Sequence, residues 1–265
     1  MKIIATYNIK GGVGKTATAV NIACLAASDG MRVLLWDLDP QSAASFLFRV
    51  RPKVKGGGKA LIAGKRPVDD SIKATDFDGL DLLPGDFTYR HLDLHLDNGN
   101  KPMTRLRSLL APLRREYDLI VLDCPPSISL LSENVLHAAD LLLVPLIPTT
   151  LSVRTLEQLT DFIGGFDGKR PTVLAFFSMI DRRKRLHLQI AEDLPSGRAD
   201  VAATAIPALS AIERMSVQRA PVTATAPRSL AARRYRELWQ EAKALAGIGS
   251  AGPSAATVKA PDRAR

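Results

Sequence analysis

Apolar residues arrive along this chain in short, nearly unbroken runs, over positions 2–7, 32–37, 80–84, 118–123, 141–147 and 172–179. Several are apolar throughout instead of alternating with polar residues, the pattern of parallel strands covered on both faces. Between them lie segments with helical spacing of apolar positions, at 16–28, 103–115, 129–138 and 152–166. This alternation predicts one α/β domain, a mostly parallel twisted sheet with helices on both faces. No internal repeat is visible.

Two segments break the pattern. Residues 49–66 hold seven basic residues, no acidic one and the triplet Gly56-Gly57-Gly58, and are expected to form a mobile basic surface insertion. Residues 247–265 are rich in Gly, Ala, Ser and Pro, and follow a helical pattern built on Leu230, Tyr235, Leu238, Trp239, Ala242 and Leu245. They are expected to be a disordered tail, which leaves residues 1–246 as the folded domain.

Composition narrows the class. The chain has 265 residues and is 46% hydrophobic, enough for a sizeable core, so wholesale disorder is excluded. Cys24 and Cys124 are the only cysteines, which excludes a disulfide scaffold. No apolar run approaches the roughly 20 residues of a membrane span. The first strand reaches Asn8-Ile9-Lys10 too early for a signal-peptide core, so a cytoplasmic protein is expected. The 36 basic residues exceed the 27 acidic ones by nine, which favours a polyanionic partner without specifying a site.

The candidate chemistry begins where the first strand ends. The sequence Asn8-Ile9-Lys10-Gly11-Gly12-Val13-Gly14-Lys15-Thr16 runs straight into a helical pattern starting at Ala17. Strand, glycine loop, Lys-Thr and helix form the arrangement that wraps backbone N–H groups around a phosphate chain, and side chains on the loop would block that approach. Lys15 is placed to reach the β- and γ-phosphates of a nucleotide, and the Thr16 hydroxyl to complete a Mg²⁺ shell.

The strict Walker pattern has glycine where this chain has Ile9, and Lys10 stands at the front of the loop instead. This Lys-Gly-Gly-x-Gly-Lys-Thr loop resembles the deviant Walker A box of the ParA/MinD superfamily of P-loop ATPases. The resemblance implies that Lys10 crosses a two-fold interface to the partner's nucleotide, a cation supplied in trans to the charge that builds up during phosphoryl transfer. Two further boxes match. Asp37-Leu38-Asp39-Pro40-Gln41 resembles the first switch, implying that Asp39 orients the attacking water and Asp37 supports the metal. The run from Tyr117 to Ser127 looks like a Walker B strand followed by the second switch, implying that Asp123 holds Mg²⁺. Met179-Ile180-Asp181-Arg182 and Ile206-Pro207 are similar to later family segments, and Pro207 is thereby implied near adenine. Cofactors ATP and Mg²⁺ follow from the resemblance, with Gly11, Gly12, Val13, Gly14 and Ala17 on the phosphates beside Lys10, Lys15 and Thr16.

A ParA-type reading further implies an ATP-dependent homodimer, a ParB-like or other adaptor that stimulates slow hydrolysis, a cargo (plasmid, chromosome or organelle) to be positioned or segregated, and a nucleoid-associated location. The basic residues are clustered in a way that suits nonspecific DNA. Besides the seven in 49–66, four lie at Arg182, Arg183, Lys184 and Arg185, and six between Arg214 and Arg236, a stretch with no Asp or Glu. Candidate DNA contacts are Arg182, Arg183, Lys184, Arg185, Arg214, Arg219, Arg233, Arg234 and Arg236. The family often has an arginine shortly after Ile-Pro, where this chain reads Ala208-Leu209-Ser210-Ala211. No helix-turn-helix precedes the loop, so operator-specific repression is not expected.

The alternative is a MinD-like switch at a membrane surface, which needs a terminal amphipathic helix with bulky apolar residues. After Trp239 the chain offers mostly small residues. An iron–sulfur relative would need clustered cysteines. His91 and His95 stand at i and i+4 without spaced further ligands, so an exposed helix or loop is expected there in place of zinc, and Leu92, Leu94 and Leu96 fit a short strand equally. Ser127 and Ser129 are expected to serve as switch or cap residues.

Overall fold

The computed structural model describes residues 1–97 and 102–249. Among these residues eight strands form one sheet: β1 (Lys2–Thr6), β2 (Val33–Asp37), β3 (Lys73–Ala74), β4 (Leu80–Leu83), β5 (Leu119–Asp123), β6 (Leu141–Leu146), β7 (Thr172–Ile180) and β8 (Ile206–Pro207). Their order is β3-β4-β2-β5-β1-β6-β7-β8, and every pairing is parallel except that of β3 with β4. The helices, in chain order, are α1 (Lys15–Ser28), α2 (Ala43–Leu47), α3 (Gly57–Ile62), α4 (Leu92–Asp97), α5 (Arg105–Leu110), α6 (Leu130–Ala138), α7 (Thr150–Gly164), α8 (Arg185–Gly197), α9 (Ser210–Glu213), α10 (Met215–Gln218), α11 (Val222–Thr225) and α12 (Leu230–Ala246).

Burial explains the unbroken apolar runs. Alternate residues of each central strand enter opposite cores: Leu34, Trp36, Ile120 and Leu122 meet α4 to α7, whereas Val33, Leu35, Leu119 and Val121 meet α1 and α12. A strand buried on both faces has no position left for a polar side chain. The apolar face of α12, with Tyr235, Leu238, Trp239 and Ala242, is spent inside the second core. Among the described residues no helix is long and apolar enough to cross a membrane.

The basic segment 49–66 is packed, contrary to the loose insertion expected. Its seven basic side chains are exposed, but Val54, Leu61 and Ile62 are at most 2% exposed and join the first core through α3. The Val54 N–H donates to Asp86 at 2.8 Å and the Gly58 N–H to Thr88 Oγ1 at 2.8 Å. The helix expected over 103–115 is broken into α5 followed by a 3-10 turn (Ala111–Arg115), because Pro112 lacks the N–H that would continue it. Leu92 and Leu96 face the core from a helix, not a strand, and among the described residues no group of three or more His, Cys, Asp or Glu side chains gathers around His91 and His95. Ser129 caps α6 in a reciprocal arrangement with Ser132. Gly247, at φ 61°, closes α12 in the left-handed conformation, and the Ile248 N–H returns to the Lys243 carbonyl. The rest of the expected tail, 250–265, lies outside the described residues.

Candidate nucleotide site

Parallel strands place their carboxyl ends along one edge of the sheet, and the three sequence boxes sit there on adjacent strands. Thr6 of β1 is the register partner of Asp123 of β5, and Asp123 is the partner of Asp37 of β2. The glycine loop leaves β1 above them. Asn8 anchors its start, accepting from the Lys10 N–H at 2.9 Å and donating to the Pro145 carbonyl at 2.8 Å. Gly12 and Gly14 adopt φ of 70° and 97°, and a Cβ on Gly14 would lie 2.9 Å from Ser178 Oγ. Gly14 caps α1 with no side-chain acceptor, so the first N–H groups of the helix point out as an anion cradle.

Lys15 is buried and donates from Nζ to the Lys10 carbonyl at 2.9 Å. Burial lowers its pKa, while Asp123, Cys124 and Asp39 work in the other direction. Asp37 is fully buried; its Oδ2 accepts from the Ser45 N–H at 2.8 Å and the Ser45 hydroxyl at 2.7 Å, and its Oδ1 from the Asp39 N–H at 3.2 Å. Burial still pushes its pKa up to about 6. Asp123 is fully buried too, and its Oδ2 has no hydrogen-bond partner among the described residues. Burial, then the neighbouring Asp37, raise it well above the ordinary carboxylate range. Two buried carboxylates, one with an orphaned oxygen, beside a threonine hydroxyl form a donor set that fits a hard divalent cation.

A cleft of about 330 Å³ opens above these groups. Of the sequence-derived residues, Gly11, Gly12, Gly14, Lys15, Thr16, Ala17, Asp39 and Pro207 line it. The Val13 side chain turns into the interior, 1% exposed, so only its backbone is available to a ligand. Lys10 is directed to α7, with Nζ 3.5 Å from Ser152 Oγ. Met179, Leu209, Ile212 and Glu213 line the cleft together with Pro207.

Residues 1–174 match the family model of an AAA domain. The sporulation initiation inhibitor protein Soj of Bacillus subtilis (strain 168) is 33% identical over 249 residues, covering 92% of this chain and 98% of Soj. The chain belongs to the ParA/MinD superfamily of P-loop ATPases.

A further ParA/MinD relative, the chromosome partitioning protein ParA of Myxococcus xanthus (strain DK1622), is 35% identical over 198 residues, 73% of this chain and 70% of that one. Among solved structures, cobyrinic acid a,c-diamide synthase from Mycobacterium smegmatis with bound ATP analog and magnesium superposes with a TM-score of 0.74 at 27% identity, covering 91% of this chain and 93% of the synthase. The cell division ATPase MinD of Pyrococcus furiosus gives 0.76 at 24% identity, over 92% and 99%, a likeness of fold.

In this ParA/MinD chain the arginines singled out for DNA are not equivalent. Arg182, Lys184, Arg185, Arg214, Arg233 and Arg236 are exposed. Arg183 is exposed as well but pairs with Asp181 at 3.0 Å, and Arg234 pairs with Glu237 at 2.7 Å. Arg214 reaches Ser210 Oγ at 3.4 Å, and Arg236 donates to the Pro227 carbonyl. Arg219 lies over the Phe46 ring at the surface, donating to its carbonyl at 3.0 Å. Sequence reasoning missed Ser45, which holds Asp37, and Ser178, which closes on Gly14; single serines carry no pattern that would reveal either.

Proposed function

We propose that this protein is a ParA-type positioning ATPase, which binds Mg-ATP, closes into a nucleotide-dependent homodimer, and in that state binds DNA without sequence preference. The observation that carries the reading is the buried Asp123 carboxylate with its unpartnered oxygen, beneath a glycine loop that bears lysines at both ends. Thr16, Asp37, Asp39 and Asp123 would hold Mg²⁺, which when bound neutralises charge on the phosphates. Lys15 and the α1 N–H groups bind the phosphate chain, and Pro207 packs against adenine. Asp39 orients a water for attack on the γ-phosphorus, with cleavage of the bond to the departing ADP oxygen. Lys10 answers the developing charge from across the dimer interface. Hydrolysis is slow alone, because both switches and a neighbour's lysine must align, and an adaptor accelerates it.

The exposed Arg182, Lys184, Arg185, Arg214, Arg233 and Arg236 support a phosphate-tracking surface. A gel shift with nonspecific duplex tests it: ATP-loaded protein retards the duplex at low salt and releases it steeply as salt rises. Absence of a shift at low salt removes the DNA half of the reading. The cargo is a plasmid, chromosome or organelle carried by a ParB-like or other adaptor.

A further inference from the structure

We propose that Arg219 is a positioning residue for the metal-site carboxylate Asp37, acting through Phe46 and Ser45 of α2, and not a DNA contact. This rests on the Mg-ATPase reading above. Arg219 is the C-cap of α10, half-buried, and its guanidinium lies 4.6 Å from the centre of the Phe46 ring while Nε donates to the Phe46 carbonyl at 3.0 Å. The junction is made twice: Arg49, just beyond α2, donates to the Gln218 carbonyl at 3.1 Å and is itself steadied by Asp76 at 2.9 Å. Thus two arginines cross in opposite directions between α2 and α10, each ending on a carbonyl.

The backbone shows what this junction holds. Four non-glycine residues have left-handed φ among the described residues, and three of them are Ser42 at 55°, Arg49 at 59° and Arg219 at 51°. Ser42 and Arg49 bracket α2, and Arg219 faces it. Such conformations persist only where surrounding contacts over-determine them. Helix α2 has five residues, too few to hold its own shape, so its geometry is set by what it packs against. Its Ser45 gives both N–H and hydroxyl to one oxygen of Asp37, and its Oγ accepts from the Gly85 N–H at 2.9 Å. Arg219 grips Phe46, the very next residue. Loosening that grip therefore displaces the donors that aim Asp37, and partners of this kind tune metal affinity.

The test compares Arg219→Ala with wild type, and uses Phe46→Ala, which removes the ring and keeps the guanidinium, as a second variant. In nucleotide-free protein, amide exchange over residues 43–47 should quicken in both. The Mg²⁺ concentration for half-maximal ATP turnover should rise roughly tenfold, while ATP affinity measured in EDTA stays within about twofold. The salt slope of DNA binding should not change. The proposal is overturned if exchange and Mg²⁺ requirement match wild type in both variants, or if Arg219→Ala lowers the salt slope by about one, the signature of a lost phosphate contact. Wild-type protein that binds no Mg-nucleotide would instead bring down the ATPase reading itself.

Discussion

The ammonium of Lys15 donates to the backbone carbonyl of Lys10 at 2.9 Å, so the side chain that closes the glycine loop is tied to the residue that opens it. Lys15 is buried, and its charge is disfavoured there by desolvation. A triphosphate supplies the opposite charge at that spot. Lys15→Ala should weaken ATP binding by at least about 100-fold, the scale for truncating one partner of a desolvated charge pair. Titration with a fluorescent ATP analogue measures it, and wild-type affinity in the variant would remove the phosphate assignment.

Lys10 has the opposite disposition. Its Nζ sits by Ser152 at the start of α7 and is no part of the lining of its own cleft. Lys10→Ala should therefore bind ATP and remain monomeric. Light scattering after size exclusion with ATP reads this directly, and a dimer of normal stability would show that Lys10 does not seal the interface.

Asp39 lines the cleft and shares a hydrogen bond with Asp37, its N–H donating to Oδ1 at 3.2 Å. Asp39→Ala should still bind ATP and dimerise, but turn over at least roughly 100-fold more slowly, the range typical of a lost proton-handling or water-orienting group. Phosphate release under saturating ATP is the measurement, with undiminished turnover excluding Asp39 from the step.

Asp37 predicts a pH dependence whose sign follows from burial. Its folded pKa is raised from the usual 3.8 to about 6, so the folded state holds the proton more tightly than the unfolded chain does. The stability this contributes is complete below about pH 4 and is lost as pH rises through about 6. Without metal, Asp37→Asn should thus be more stable than wild type at neutral pH by up to about 3 kcal/mol, and the gap should vanish near pH 4. Denaturant midpoints in EDTA at the two pH values decide it; a gap independent of pH would mean that Asp37 is not strained by its burial.

Leu61 tests the packed basic segment. At 2% exposure it lies in the first core, so Leu61→Ala should cost about 2–5 kcal/mol in urea unfolding. A change within about 0.5 kcal/mol, as on an ordinary surface, would mean that the segment adds nothing to the core.

The chain's own lettering goes far for the sheet and less far for what surrounds it. Six strands are legible because burial on both faces leaves unbroken apolar runs such as Leu119-Ile120-Val121-Leu122. The two-residue strands β3 and β8 are too short to have a period. In residues 49–66, three core side chains are outnumbered by seven charges, which hides a packed helix behind the composition of a loop. The cleft is legible where a spacing is enforced by chemistry, from Gly11 to Ala17 and at Asp39 and Pro207. It is not legible where one residue acts on another distant in sequence, as Arg219 does on Phe46. That contact ties to a carbonyl an arginine counted among the candidates for DNA.

Both rims of the sheet are blunt. At one side stands Lys73–Ala74, at the other Ile206–Pro207, each two residues long, one bearing a lysine and the other a proline that has no hydrogen to give. A long, bare edge strand runs the risk of zipping copies of a protein together sheet by sheet. Here each outermost strand offers an incoming chain only two residues of ladder, so under the proposed function copies would meet through their loops, where a small molecule would make the bond and its breakdown would undo it.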